Sequence, residues 1–153
     1  MGVGGVRVKW GSLEWRSGGV ESGGVESLEW RSWEVTNAEF REVLEDRTAK
    51  YAVEVFKYLR ELPYDVSTKV IAHQLGKSAS SIGANYHEAN RSESRDDFVH
   101  KIAIAVKEAN ESCYWFKVLR GLCGSNERIE ALAKETCELR NLLQSILKST
   151  RSR

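Results

Sequence analysis

Asp97 and His100 stand three residues apart, with His87 and Glu88 just upstream, and form the one cluster in the chain with metal-ligand character. An acid and a histidine at that spacing share a helix face. A di-iron or di-manganese bundle needs two Glu-x-x-His pairs plus a Glu from each of two other helices. The sequence offers one half-motif, so Asp97 reads as an acidic complement to a helix N-terminus and His100 as a solvated residue. A metal-dependent enzyme built on Asp97, His100, His87 and Glu88 is the alternative. Ser78, Ser80 and Ser81 cluster near His73 and His87. No strand precedes Ser80-Ser81-Ile82-Gly83, as a nucleophile elbow would require. Gly76-Lys77-Ser78 resembles the end of a P-loop, but the upstream glycine position holds Ile71. Cys113, Cys123 and Cys137 match neither zinc-knuckle nor disulfide-framework spacing and read as reduced thiols on or near helix faces. The sequence therefore predicts no catalytic, cofactor or metal residues.

The bulk properties agree. The 153 residues carry 23 Lys and Arg against 22 Asp and Glu, a net charge of +1. That balance disfavours a strongly basic nucleic-acid module and an acidic tail protein alike. With 41% apolar and 29% charged residues, the mix is that of a protein rich in amphipathic helix. No run approaches the ~18 apolar residues of a membrane span, and no secretory signal or myristoylation motif is evident. A cytoplasmic protein with no membrane partner is expected.

Composition breaks near residue 34. Eight of the twelve glycines and four of the five tryptophans precede it, in five-residue units that read LEWRS, GGVES, GGVES and LEWRS from Leu13 to Ser32. Such a unit is too short to form one supersecondary element, and its Gly-Gly pairs interrupt any strand or helix. Trp10, Trp15, Trp30 and Trp33 could be read as a stacking ladder for single-stranded nucleic acid. The four acidic residues of the stretch cancel its four basic ones, which leaves no net attraction for phosphate. Residues 1–33 read as a low-complexity repeat extension, expected to be disordered, and residues 34–150 as the folded domain.

Helical spacing dominates that domain. Thr36-Asn37-Ala38-Glu39 has the form of a capping box. Phe40, Val43, Leu44, Tyr51, Ala52, Val55, Leu59 and Leu62 then recur at helical steps until Pro63. A second helix is expected from Ser67 to about Asn90, with Ile71, Leu75, Ser78, Ile82 and Ala89 inward. Ser94 caps a third helix bearing Phe98, Ile102, Ala105, Ala109, Cys113 and Phe116, which ends near Gly121–Gly124. Asn126 caps a fourth with Ile129, Leu132, Thr136, Leu139, Leu143 and Ile146. Ala72, Gly76, Ala79, Ser80 and Gly83 would let a neighbouring helix approach closely. Lys57 and Glu61, four apart, suggest an ion pair on a solvated face, as do Asp46 with Lys50 and Lys50 with Glu54. Short connections between four such helices predict an all-α, antiparallel up-down-up-down four-helix bundle.

The segment from Gln74 to Ala89, QLGKSASSIGANYHEA, carries Gln74, Ser81, Gly83, Asn85 and Glu88. It is followed by a Phe98-led helix with Glu108, Glu111 and Trp115. Arg47-Thr48-x-x-Tyr51-Ala52 and Leu62-Pro63 precede it. This arrangement resembles the four-helix-bundle proteins of the 23S rRNA-intervening-sequence family over about residues 36–148. A related branch is the accessory protein of diversity-generating retroelements, a homopentameric barrel that binds nucleic acid and a reverse transcriptase. The resemblance implies a non-enzymatic, self-assembling interaction protein that docks RNA or a ribonucleoprotein partner. This chain departs from that strongly basic branch, because residues 34–153 hold 19 basic and 18 acidic side chains. Arg91, Arg95, Lys148, Arg151 and Arg153 are the expected contributors to any nucleic-acid contact.

A second stripe on the third helix runs through Ile104, Glu108, Glu111, Trp115 and Val118, about 120° from the core stripe on a helical wheel. Its large apolar side chains exceed what an outward face needs, and its two carboxylates call for matching donors. The stripe predicts a homo-oligomer contact; the expectation of a pentamer comes from the resemblance alone.

Overall fold

The computed structural model describes residues 37–151. The assignment of residues 1–33 to a disordered extension lies outside the described residues. From Arg41 onward the chain forms one compact unit. Four helices follow in order: α1 (Asn37–Leu59), α2 (Val66–Ala89), α3 (Arg95–Cys123) and α4 (Glu127–Arg151). Contacts near both ends of neighbouring helices set their directions. Glu45 meets Arg91 and Phe56 lies beside Gly76; Ser78 meets Ser112 and Glu88 meets Lys101. Arg120 meets Glu130 and Arg95 meets the Thr150 carbonyl; Arg47 meets Glu135 and Glu54 meets Arg128. Each helix therefore runs antiparallel to the one before it, and α4 antiparallel to α1. This is the up-down-up-down bundle that the apolar spacing predicts.

Local chemistry sets the helix ends. α2 begins one residue before Ser67 because Asp65 is its cap. The Asp65 carboxylate accepts the Ser67 and Thr68 amides at 2.8 and 2.9 Å, while the Asp65 amide donates to Thr68 Oγ1 at 3.0 Å. This reciprocal capping box satisfies donors that the helix cannot pair internally. Ser94 caps α3 and Asn126 caps α4, each accepting an amide three residues on. Gly124, at φ 80°, closes α3 in a conformation open mainly to glycine. α1 stops at Leu59 rather than running to Leu62. Glu61 and Leu62 continue it only as tighter three-residue turns, since the residue before Pro63 is pushed out of the helical region.

The α1 core stripe is Leu44, Thr48, Tyr51, Val55 and Tyr58, all buried. Val43, expected inward, is 56% exposed. It sits about 100° around the helix from Leu44, and the polar Thr48 holds the inward place. The expected inward residues of α2 are all buried, and α4 buries Ile129, Leu132, Thr136, Leu139 and Leu143. Lys57 pairs with Glu54 instead of Glu61, which reaches across to Arg128 at 2.6 Å.

The small residues of α2 have the packing role their size implies. A Cβ on Gly83 would lie 3.1 Å from Thr48 Oγ1 and 3.2 Å from Thr48 Cβ, and Thr48 is buried with no room to yield. A Cβ on Gly76 would meet Phe56 Cε1 at 2.9 Å, but that ring is half exposed and can swing outward. Gly83→Leu should therefore cost about 1–3 kcal/mol by overpacking. Gly76→Ala should be nearly neutral, because ~1 kcal/mol of helix propensity offsets the ring's displacement. Urea melts of the two variants check this contrast.

A polar layer crosses the middle of the core with one residue from each helix: Tyr51, Ser78, Ser112 and Thr136, all buried. The Thr136 hydroxyl donates to the Leu132 carbonyl at 2.8 Å, so the Tyr51 phenol donates its proton to Thr136 Oγ1 at 2.6 Å. Ser112 and Ser78 share a bond of 2.8 Å, backed by the Glu108 and Leu75 carbonyls. Burial pushes the Tyr51 phenol above its ordinary value and keeps it a neutral donor. Among the described residues, no buried side-chain polar atom lacks a partner.

Candidate functional site: the face between the second and third helices

Two contacts align α2 with α3, the Ser78–Ser112 bond and the ion pair of Glu88 with Lys101. In that register, Gln74, Lys77, Ser81, Asn85 and Glu88 recur at steps of three and four along α2. They run beside Lys101, Ile104, Glu108, Glu111, Trp115 and Val118 of α3. Apart from Gly83, which faces Thr48 of α1, the family-motif residues and the expected oligomer stripe thus form one continuous face. Val70 lies one turn before Gln74 and Leu122 one turn after Val118, and both are about half exposed. They extend the apolar part of the face, and the same three-four stepping would have found them in the sequence.

Ile104, Glu108, Trp115 and Val118 are half-buried within a single protomer, and Glu111 is exposed. Trp115 donates its indole N–H to Glu111 Oε1 at 3.2 Å and meets the Tyr114 ring edge-on at 5.1 Å between centroids. Burial pushes the Glu108 carboxyl upward and the neighbouring Glu111 pushes it further, while the Lys77 ammonium opposes them. Glu108 is thus a partly desolvated carboxylate beside exposed apolar surface, an arrangement that a donor from outside would relieve.

The remaining motif residues have local roles. Gly83 receives Thr48, and the Asn85 amide donates to its own helix at the Ser81 carbonyl, 2.8 Å away. The Glu88 ion pair with Lys101 lowers the Glu88 carboxyl below its ordinary value. Arg47 spans α1 to α4, bonded to both Glu135 oxygens at 2.6 and 2.8 Å and to Glu138 at 2.7 Å.

Arg91 and Arg95 gather at one end of the bundle with Lys148 and Arg151, because Arg95 donates to the Thr150 carbonyl. Arg153 lies outside the described residues. Arg91 is engaged: it bonds Glu45 at 2.9 Å and the His87 carbonyl at 2.8 Å. That guanidinium, joined by Asn90, holds the Glu45 carboxyl below its ordinary value against the opposing effect of burial. A depressed folded-state value stabilises above the unfolded carboxylate range and is lost as pH falls through it. Glu45→Gln should therefore lower the melting temperature at neutral pH, and the difference should shrink as pH falls below the ordinary carboxylate range, as thermal melts across that range will read.

The candidate metal residues do not converge. Glu88 is occupied by Lys101, His87 Nε2 lies 3.9 Å from Glu45, and His100 is exposed. Among the described residues, no group of three or more His, Cys, Asp or Glu could hold a metal ion. No described helix is long and apolar enough to cross a membrane.

Fold and face together define an antiparallel four-helix bundle whose α2/α3 surface mixes half-buried apolar groups with carboxylates. The family model described as 23S rRNA-intervening sequence protein matches residues 43–145, and the chain belongs to that family. It is also similar to a crystal structure at 1.70 Å of a protein of unknown function from the S23 ribosomal protein family of Bacteroides thetaiotaomicron VPI-5482. The two are 36% identical, with a TM-score of 0.65, over 71% of this chain and 97% of that one. No curated protein matches the chain.

Proposed function

We propose that this protein is a non-enzymatic, self-assembling helical-bundle module whose α2/α3 face packs against further copies of the chain in a ring of five. One observation carries the reading: Ile104 and Trp115 flank the partly desolvated Glu108 on a face that the protomer leaves half covered. A second copy would bury the apolar groups, which favours association, and would bring donors to the carboxylates. The number five follows the resemblance of the chain to pentameric relatives. The experiment is the mass of the assembly in solution, with substitutions on this face as its control.

The docking role rests on the basic end of the bundle, where Arg95, Lys148 and Arg151 gather beside the α2–α3 turn, and on the rRNA connection in the family's description. Three or four phosphate contacts give a shallow salt slope, so binding should be weak and largely gone by ~200 mM salt. Filter binding to structured RNA at rising salt checks this. An absence of binding at low salt removes the RNA clause and leaves self-assembly untouched.

A further inference from the structure

Cys113 on α3 and Cys137 on α4 each directly follow a residue of the central polar layer, Ser112 and Thr136. Their sulfurs stand 3.8 Å apart, although the residues are 24 positions apart in sequence. Both are half-buried, so small molecules can reach them, whereas Cys123 is exposed near the end of α3. The Arg140 guanidinium lies 3.8 Å from the Cys113 sulfur. A cation there favours a thiolate and disfavours a bound metal ion. We propose that Cys113 and Cys137 form an oxidisable dithiol that hydroperoxides convert to a disulfide clasping α3 to α4.

The chemistry balances with hydrogen peroxide as oxidant. One sulfur, as its thiolate, attacks a peroxide oxygen; the O–O bond breaks, and a sulfenic acid and hydroxide form. The second sulfur then attacks the first, the S–S bond forms, and the sulfenic oxygen leaves with a proton as water. Overall, two thiols lose two electrons and two hydrogens, and one peroxide becomes two waters. Bonded sulfurs lie about 2 Å apart, so closure asks for side-chain rotation and a slight approach of helices already in contact. Burial and the neighbouring Cys137 raise the Cys113 thiol to about 11, which makes the step slower than at an exposed low-pKa thiol. The clasp lies in the α3/α4 groove, away from the α2/α3 face, and the proposal stands independently of self-assembly.

The test treats the full chain and its Cys123→Ser variant with hydrogen peroxide, alkylates the remaining thiols and reads intact mass and peptide maps. Cys123 is exposed, so its replacement leaves the core intact. Both chains should lose two hydrogen masses, yield a Cys113–Cys137 cross-linked peptide and melt roughly 10 °C higher, from closing a loop of this length. Dithiothreitol should reverse all three changes. Alkylated Cys113 and Cys137 alongside oxidised Cys123, or only intermolecular disulfides, would overturn the proposal. So would separate sulfinic acids at Cys113 and Cys137.

Discussion

Combining Trp115→Ala with Ile104→Asp should leave a folded 17.3 kDa monomer. Both side chains are half-buried in the protomer, while the core side of α3 is held by Ile102, Ala105, Ala109, Phe116 and Leu119. Their replacement therefore spares the inward packing. At a subunit contact the same changes are severe. Truncating a central tryptophan typically costs about 2–4 kcal/mol of association. The new aspartate adds an unpaired charge one helical turn from Glu108, which already resists ionisation. Together they should raise the dissociation constant by roughly a thousandfold or more. Size exclusion with circular dichroism separates the outcomes: unchanged helicity at monomer mass supports the interface, and lost helicity would show that these side chains hold the protomer together.

Within the protomer the largest loss is expected at the polar layer. Ser112→Leu places a bulky apolar group where two helices approach to a 2.8 Å contact between hydroxyls, at a fully buried position. Overpacking costs about 1–3 kcal/mol, and Ser78 loses its hydroxyl partner in the dry interior, another ~1–3 kcal/mol. A total of about 3–5 kcal/mol would lower the melting temperature by roughly 15 °C. Ser112→Ala removes the same hydroxyl without the bulk and should cost only about 1 kcal/mol. Calorimetry of the pair separates steric from polar contributions. Equal losses would mean that the layer is held by hydrogen bonding alone.

The helices were legible where aliphatic residues recur at steps of three and four, as in Ile71, Leu75, Ile82 and in Ile129, Leu132, Leu139, Leu143. Ser94 and Asn126 were legible as caps, because their side chains accept amides three residues on. The inward turn of α1 was harder to read, since Thr48 and Tyr58 hold core places that a search for aliphatic residues skips while Val43 looks inward and is not. Tyr51, Ser78 and Thr136 could be placed inward from their spacing, but with Ser112 they become one polar layer only once four helices are aligned. On the candidate face, Ile104, Glu108, Trp115 and Val118 could be placed on one stripe from sequence. Lys77 and Gln74 beside them required the antiparallel register of α2 and α3. Long-range pairings such as Arg91 with Glu45 and Cys113 with Cys137 have no local signature, because they are set by how the helices pack.

Self-assembly is the claim on which the account turns, and the absolute mass of the unmodified protein tests it most directly. Light scattering after size exclusion at micromolar concentration should give a multiple of 17.3 kDa, with five as the expected multiple. A single species at 17.3 kDa under those conditions would contradict it.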